Sequence, residues 1–451
     1  MSGLRRVSCA HYEGRRCFNP VATKHPALWV PSSYFAMGTV YIMVSTASNI
    51  LFANLGLSNE KAAAYSSLTG LAFTFKPFWA PLLELYQTKK FWVVLMQAVL
   101  ALLFLGLAFA LKLPSFVIPV VTLLMVAAVA GATQDIVSDG VYVTSLDSKR
   151  QAAFAGIQSM SWSIGPILAN GFLVLLVGHL AGETADGARP EPASYASAWF
   201  GVFIGLAALL GALSLWHSTM LPQGAKADDA PRSWSDAVST FGKVFATFFQ
   251  KKDVWKLIGF AFFYRFGLGL LDKIAPLFLL DAQEKGGLGL NNSQLGLLNG
   301  IIGTTAFIGG SILGGWFVSR RGLKKSLLIL CLALNVPNAT FLYLGWVRPD
   351  SLAVVGAIFF IEKLGWGFGA VGHMIYMMQQ IAPGPYKTAH YAFATGLGLS
   401  LCMTLTGLVS GYLQTAVGYQ TYFVIVLLAA APSILFTVLA PFHHADDSAK
   451  A

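Results

Sequence analysis

Long apolar runs alternate with short polar segments along almost the whole chain. A helix of about 20 apolar residues crosses the hydrocarbon core of a bilayer, and each run is at least that long. The runs fall at 28–54, 60–86, 91–112, 116–145, 151–180, 195–221, 254–280, 292–318, 324–346, 351–379, 386–416 and 420–441. The pattern therefore predicts an all-α membrane protein with twelve transmembrane helices in two six-helix halves.

A longer polar stretch at 222–253 separates the two halves. Residues 234–249 within it place apolar side chains at helical spacing, which predicts an amphipathic helix at the interface between the bundles. The expected domains are an N-terminal tail at 1–26, a bundle at 27–221, the linker at 222–253, a second bundle at 254–442 and a C-terminal tail at 443–451.

Composition supports a membrane environment. Of the 451 residues, 56% are hydrophobic and 11% are charged, and the mean hydropathy is +0.64. A soluble protein carries about 25% charged residues, so the lipid bilayer is the expected surrounding. The cysteines Cys9, Cys17, Cys331 and Cys402 show no framework spacing, so we interpret them as free thiols.

The distribution of basic residues predicts the orientation. The formal net charge is +10, and twenty-one of the thirty Lys and Arg residues fall in segments on the side of the N-terminus, against five on the other side. Basic residues accumulate in cytoplasmic segments. The bias places both termini in the cytoplasm, and it explains the positive charge without a nucleic-acid partner.

Two acids, Asp135 and Asp139, interrupt the fourth apolar run. Their spacing of four residues puts them on one helix face, and carboxylates at membrane depth are functional candidates because they are costly there. With a rise of about 1.5 Å per residue, Lys76 and Asp135 lie about 20 and 21 Å from the cytoplasmic face, and Asp139 about 15 Å. We predict that Lys76 approaches Asp135, which leaves Asp139 as the candidate proton-titrating group.

The second half carries a comparable set of charges. By the same rise Arg265 lies about 16 Å in, and Glu362 with Lys363 about 17 Å in, which predicts an Arg265–Glu362 pair. Asp272 and Lys273 lie nearer the outside, and at most one member of each sequence-adjacent couple is expected to face a cavity squarely. Any one of these charges is open to interpretation as part of a structural ion pair. Eight of them in a dry bundle would carry a heavy desolvation cost, so the whole set favours a water-filled cavity.

Other polar and aromatic residues at similar depth form a second tier. Trp162, Tyr264 and Trp366 are candidates to line the cavity, although most aromatic residues here are expected to contact lipid or other helices. His373 and His390 titrate in the range that proton coupling needs, and a hydrogen-bonded structural role is an equal alternative. The sequence offers neither an enzyme motif nor the spacing of a metal or cofactor site.

Two motifs resemble known families. Gly315–Lys325 resembles the cytoplasmic loop of the major facilitator superfamily, with Ser319 in place of the acidic residue, and Ala80–Glu84 is a degraded copy in the first half. The run from Gln134 to Asp139 resembles the Gln-Asp-Ile-x-x-Asp motif of the AmpG-type permease and acetyl-CoA transporter group. Lys76–Glu84 resembles that group's Lys-x-x-Trp-x-Pro-Leu-x-Asp motif, with Glu84 in place of Asp.

This resemblance implies Lys76, Gln134, Asp135 and Asp139 as site residues and Glu84 as a further candidate. It implies a monomeric bacterial inner-membrane importer, coupled to protons or to sodium, that moves an anionic sugar or sugar–peptide such as an anhydro-muropeptide by alternating access. A siderophore or other nutrient importer, a drug exporter and a non-transporting sensor are the alternatives.

Overall fold

The computed structural model describes residues 24–85, 87–184, 189–224 and 233–444. The helical segments, in chain order, are α1 (Pro26–Asn54), α2 (Asn59–Leu68), α3 (Gly70–Leu85), α4 (Lys89–Ala110), α5 (Val117–Ser145), α6 (Ala153–Ala181), α7 (Pro192–Met220), α8 (Trp234–Phe249), α9 (Val254–Leu280), α10 (Asn292–Arg321), α11 (Leu323–Val347), α12 (Leu352–Ile381) and α13 (Ala389–Val438). Among the described residues, ten of these helices, all except α2, α3 and α8, are long and apolar enough to cross a membrane. No strand occurs in those residues, so the all-α prediction is confirmed.

The difference between ten helices and the predicted twelve comes from two places. The predicted run 60–86 is divided near Thr69 into α2 and α3, each shorter than a full span. In contrast, α13 covers two predicted runs in 50 residues, and a straight helix of that length measures about 75 Å against a core of about 30 Å. Gly418 interrupts it with φ 73° and ψ 166°, and the twelve-span count stays a prediction.

Polar residues fix several helix starts. The Thr88 side chain accepts a hydrogen bond from a main-chain N–H of the first turn of α4, and Ser351 does the same for α12. Asn291 and Gln294 form a reciprocal capping box at the start of α10. Such caps satisfy amides that the helix itself leaves free, which lets the helices begin where the apolar runs begin.

The helices pack as two halves. In the N-terminal half (α1–α7), α4 packs against α5 and α7, and α1 packs against α6. In the C-terminal half (α9–α13), α12 packs against α10 and α11, and α9 packs against α13. Between the halves, α2 packs against α13 and α6 packs against α10.

Glycines allow close approach between the halves. A Cβ atom added to Gly300 of α10 would lie 2.2 Å from the Cα of Gly171 in α6. A Cβ added to Gly411 of α13 would lie 2.5 Å from the carbonyl oxygen of Asn59 in α2. At these crossings main chain meets main chain, so a side chain at either glycine would hold the halves apart.

Polar contacts close one end of the molecule, which we call the closed end; it contains the α1–α2 and α9–α10 connections. Asn59 Nδ2 lies 2.9 Å from Asp281 Oδ2 across the halves. Glu183 accepts hydrogen bonds from the main-chain N–H groups of Asn292 (2.9 Å) and Ser293 (3.2 Å). These contacts seal the two halves together at this end.

The opposite end, which we call the open end, contains α8. The helix observed at Trp234–Phe249 matches the predicted amphipathic segment. It touches both halves: Phe241 lies 4.9 Å from Phe78 of α3, and Phe248 lies 4.6 Å from Phe393 of α13, between ring centroids. Asp139 is exposed on the helix face of α5 that Asp135 also occupies, one turn nearer this end.

The linker joins α9 at Asp253, which has a left-handed backbone conformation with φ 55°. Its carboxylate lies 2.9 Å from Lys256 Nζ and 3.0 Å from His443 Nε2. The hydrogen bond that Lys256 donates lowers the pKa of Asp253. This cluster ties the linker to the segment after α13.

Candidate functional site

A cavity of about 440 Å³ lies between the halves. Seven of the nine main candidate residues border it, and Gln134 and Asp139 are the two that do not. The seven are Lys76, Asp135, Arg265, Asp272, Lys273, Glu362 and Lys363. Two of the further candidates, Trp162 and Trp366, border it as well. Both halves therefore contribute charge to one cavity, as the sequence predicts.

The predicted approach of Lys76 and Asp135 is confirmed. Lys76 of α3 forms an ion pair with Asp135 of α5, with side-chain exposures of 32% and 21%. Trp79, one turn after Lys76, donates from Nε1 to Thr133 Oγ1 at 3.1 Å. Two contacts between α3 and α5 thus set the position of the pair at the cavity wall.

The other residues of the Gln134–Asp139 motif do not border this cavity. Asp139 lacks a basic partner among the described residues, but Tyr34 of α1 donates to its Oδ1 at 2.6 Å. This neutral donor from α1 is one that a search among charges misses, and the proton-titrating role of Asp139 stays a prediction. Gln134 is 1% exposed, and its amide has no hydrogen-bond partner in the described residues.

In α9, Lys273 joins the halves. Its Nζ donates to the carbonyl oxygen of Ser45 at 2.8 Å, and Asn49 Nδ2 donates to the Lys273 carbonyl at 2.7 Å. Ser45 lies in a π-helical turn of α1, Met43–Ala47, and such turns leave carbonyl groups available for other donors. Lys273 is 5% exposed, whereas Asp272 is half-buried at the cavity surface.

In α12, Glu362 pairs with its neighbour Lys363. Lys363 Nζ lies 3.0 Å from Glu362 Oε2, but neither carboxylate oxygen has a well-aligned hydrogen bond in the described residues. Lys363 Nζ also lies 4.6 Å from the ring centroid of Trp366. All four members of the two couples border the cavity, but Asp272 and Lys363 face it more openly than the buried Lys273 and Glu362.

The predicted Arg265–Glu362 pair is wrong. Arg265 Nε donates to His373 Nδ1 at 3.0 Å. His373 lies about three turns along α12 from Glu362, so Arg265 meets this helix at a different level. Tyr264 does not border the cavity; its ring stacks on His373 with centroids 4.8 Å apart. His373 thus belongs to the wall behind Arg265.

Two further candidates lie elsewhere. His390 is buried against the linker helix, with Nε2 3.2 Å from Thr247 Oγ1 and 3.2 Å from the Val244 carbonyl oxygen, so it contacts α8 and not the cavity. The side chain of Glu84 lies outside the described residues.

Aromatic rings supply the apolar part of the cavity. In the N-terminal half, Tyr41 packs edge to face on Phe73, with ring centroids 4.9 Å apart. In the C-terminal half, Phe307 packs against Trp366 at 5.1 Å. Flat rings therefore lie beside charged groups at the cavity surface.

The charges that border the cavity are four cations and three carboxylates, an excess of one positive charge. The described residues contain no group of three or more His, Cys, Asp or Glu side chains placed to hold a metal ion. The cavity lining therefore carries a net positive charge.

Sequence reasoning missed the uncharged polar residues of the site. Asn170 of α6 and Asn299 of α10 border the cavity, and each has an amide atom without a partner in the described residues. Asn49 is a third polar residue in an apolar run, and it is fully buried. A search for Asn as well as for charge would have found all three.

Membrane-crossing helices packed in two halves around a shared charged cavity define a membrane transporter. The model of the Major Facilitator Superfamily matches residues 32–403. The chain belongs to this superfamily, and it is a multi-pass secondary transporter.

Its relatives fit the resemblance seen in the sequence. The chain is 24% identical to the anhydromuropeptide permease of Escherichia coli K12 over 385 residues, covering 84% of this chain and 72% of the permease. It is 21% identical to the putative transporter AmpG 4 of Rickettsia conorii over 379 residues, covering 81% and 84%. Among solved structures, a D-xylose-proton symporter superposes with a TM-score of 0.67 at 12% identity, covering 93% of this chain and 97% of that one, which supports the fold.

Proposed function

We propose that this protein imports an anionic sugar or sugar–peptide, such as an anhydro-muropeptide, across a bacterial inner membrane in symport with protons. The observation that carries the proposal is the cavity between the halves, where four cations, three carboxylates and several aromatic rings meet. Its volume of about 440 Å³ lies within the range of roughly 300–1,000 Å³ typical of ligand sites. The printed name of the Escherichia coli relative supports the choice of solute class.

In this proposal the cations and the aromatic rings of the cavity bind different parts of the solute. Arg265 and Lys363 bind the solute's carboxylates, while Trp366 stacks on a sugar ring. Lys273 is engaged with the main chain of α1 and holds the halves in the present arrangement.

The carboxylates of α5 carry the coupling. Asp135 is paired with Lys76, and Asp139 lies exposed toward the open end, where a proton can pass to and from water. Protonation of these acids is linked to which end is open, so that solute and proton cross together.

Uptake into proteoliposomes tests the proposal. We expect labelled anhydro-muropeptide to accumulate under an inward proton gradient, and Asp139→Asn to abolish the dependence of uptake on that gradient. A proton-independent wild-type uptake, or unimpaired and gradient-dependent uptake by the variant, contradicts the coupling role. Replacing the proton gradient by a sodium gradient tests the other coupling ion.

The other nutrient importers are separated by ligand binding. Thermal-shift measurements with anhydro-muropeptide, xylose, a nucleoside and a ferric siderophore should show stabilisation by the anhydro-muropeptide alone. Stabilisation by another solute in its place would assign the cavity to that solute. The charged cavity counts against a drug exporter, whose apolar solutes would leave these charges uncompensated.

The orientation and oligomeric state are part of the same proposal. We place both termini and the open end in the cytoplasm and expect a monomer. Cysteine labelling at Gln250→Cys from the cytoplasmic side and at Leu113→Cys from the outside, together with light scattering of the purified protein, tests this arrangement. The reverse labelling pattern would invert the orientation.

A further inference from the structure

The α9 helix is broken beside the cavity. Its first part ends at Phe263 and its second begins at Phe266, with Arg265 between them at φ −110° and ψ 17°. In a continuous helix the carbonyl of Ala261 accepts a hydrogen bond from the amide four residues later, that of Arg265. Here His373 Nε2, from α12, lies 2.9 Å from the Ala261 carbonyl oxygen.

The two partners of His373 determine where its proton is. A guanidinium has donors and no acceptor, so Arg265 Nε must donate to Nδ1. A carbonyl oxygen only accepts, so Nε2 must carry the hydrogen that Ala261 receives. Both requirements are met by one species, the neutral ring protonated at Nε2. A second proton at Nδ1 would remove the Arg265 hydrogen bond and place two cations 3.0 Å apart.

The ring has no room to turn. His373 is 0% exposed, and Tyr264 stacks on it with an interplanar angle of 14°. On another side, a Cβ atom added to Gly398 of α13 would lie 2.8 Å from His373 Cε1 and 2.3 Å from the Ala261 carbonyl oxygen. Three helices therefore fix one orientation of the imidazole. The charged or titratable groups in described contact with it are Arg265 and Tyr264, both from α9.

We propose that His373 is a positioning residue for Arg265: the neutral ring caps the Ala261 carbonyl at the break in α9 and holds Arg265 Nε, so that both Nη groups of the guanidinium point toward the solute. His373 does not carry the coupling proton. The solute contact rests on the proposed function, whereas the protonation state of the ring does not.

The protonation state is tested without any solute. In protein labelled with ¹³C and ¹⁵N at histidine and placed in nanodiscs at pH 7, the difference between the wild-type and His373→Asn spectra isolates the His373 ring. We expect a neutral ring protonated at Nε2, with a shifted Nδ1 resonance in Arg265→Lys. A charged ring, an Nδ1-protonated ring or an Nδ1 resonance that Arg265→Lys leaves unchanged would overturn the proposal.

Two amide substitutions separate the two contacts. The amide oxygen of His373→Asn can occupy the place of Nδ1 and still accept from Arg265, whereas the amide nitrogen of His373→Gln reaches the place of Nε2 and still donates to Ala261. We expect His373→Gln to raise the KM for labelled anhydro-muropeptide about tenfold or more, with kcat less affected, and His373→Asn to stay near wild type. Similar KM values for both variants, with both proteins folded by thermal unfolding, would contradict a role exerted through Arg265.

A double-mutant cycle completes the test. If His373 acts through Arg265, His373→Gln should add little to the KM of Arg265→Lys, because the residue it positions is already changed. Multiplied effects of the two substitutions would show independent roles and overturn the proposal. Absence of any wild-type uptake would reject the proposed solute, and the spectra would then decide the role of His373 alone.

Discussion

The Lys76–Asp135 ion pair is about three-quarters withdrawn from water. Removal of one partner leaves the other charge without its counterion, which costs more than removing both. We predict that Lys76→Gln and Asp135→Asn each lower the free energy of unfolding by about 1–2 kcal/mol. The double variant should lose less stability than the sum of the two single losses. Thermal unfolding in detergent measures all three variants.

Arg150 provides the matched control. Arg150 Nε lies 4.0 Å from Asp147 Oδ2, and the two side chains are 58% and 54% exposed. Arg150→Gln should change the stability by less than about 0.5 kcal/mol, because exposed pairs contribute little. Additive effects of the two cavity substitutions would mean that the buried pair is not coupled.

Trp366 is predicted to stack on a sugar ring. It borders the cavity beside Lys363, and loss of one aromatic contact is worth about 0.5–1.5 kcal/mol beyond the buried area. Trp366→Ala should raise the KM for anhydro-muropeptide about fivefold or more, while Trp366→Phe keeps a flat ring and should have a smaller effect. Trp316→Ala, at a residue 57% exposed and outside the cavity, is the control. Equal effects at positions 316 and 366 would contradict the stacking role.

At the scale of helices, the sequence predicts where apolar runs lie but not how they bend. The α8 helix occurs at the predicted residues because it has one apolar face and a Ser233 cap. The break in α9 lies at Tyr264 and Arg265, neither of which is Gly or Pro, and the carbonyl that it frees is contacted by His373 from another helix. The rise per residue predicts the depth of a side chain in the membrane, but not its direction around the helix axis. Depth alone was enough to predict the Lys76–Asp135 pair, and it was not enough to predict the partner of Arg265.

The crossing of α6 and α10 depends on its glycines. In Gly171→Val the new Cβ would lie 2.7 Å from the Cα of Gly300, and forced separation costs about 1–3 kcal/mol. This cost corresponds to a change of about 5- to 150-fold in the equilibrium constant, in favour of molecules that lack the closed-end contact. We predict that uptake falls in proportion, as measured in proteoliposomes.

Gly205→Val is the control for that crossing, since a Cβ at Gly205 meets nothing within 4 Å. It changes the same residue type in a neighbouring helix, α7, and should leave uptake unchanged. A comparable loss in both variants would indicate a general effect on helix stability.

The Asp253 cluster gives the linker a pH dependence. Because Lys256 lowers the pKa of Asp253 in the folded protein, its contribution is present above the unfolded pKa and is lost as the pH falls through the lowered value. We predict that wild-type protein and Asp253→Asn differ in hydrogen exchange at 441–444 near pH 7 and become alike only at pH values below the lowered pKa of Asp253. A difference that persists at low pH would mean that the carboxylate charge is not what holds this segment.

For the whole molecule, alternating access requires the closed end to open. Asn59 Nδ2 lies near three acceptors of the other half: Asp281 Oδ2 (2.9 Å), Gln414 Oε1 (3.0 Å) and Tyr419 Oη (2.9 Å). Asn59→Ala removes this donor and should weaken closure by about 1–3 kcal/mol. We predict that a larger fraction of Asn59→Ala molecules than of wild-type molecules has the closed end open.

Spin labels at Leu113 and Val347, both exposed and in different halves, measure this population as a longer distance. Gln420→Ala is the control, because Gln420 donates to Gly345 within the C-terminal half and should not change the distance distribution. An unchanged distribution in Asn59→Ala would show that this hydrogen bond does not control the end.

The contact between Lys273 and Ser45 uses a side chain from one half and the main chain from the other. The acceptor is a main-chain carbonyl, which every amino acid possesses, so residue 45 can vary while the contact is kept. Position 273 has no such freedom, because it must supply a side chain long enough to reach across and able to donate. Substitutions are therefore tolerated at position 45 and restricted at position 273.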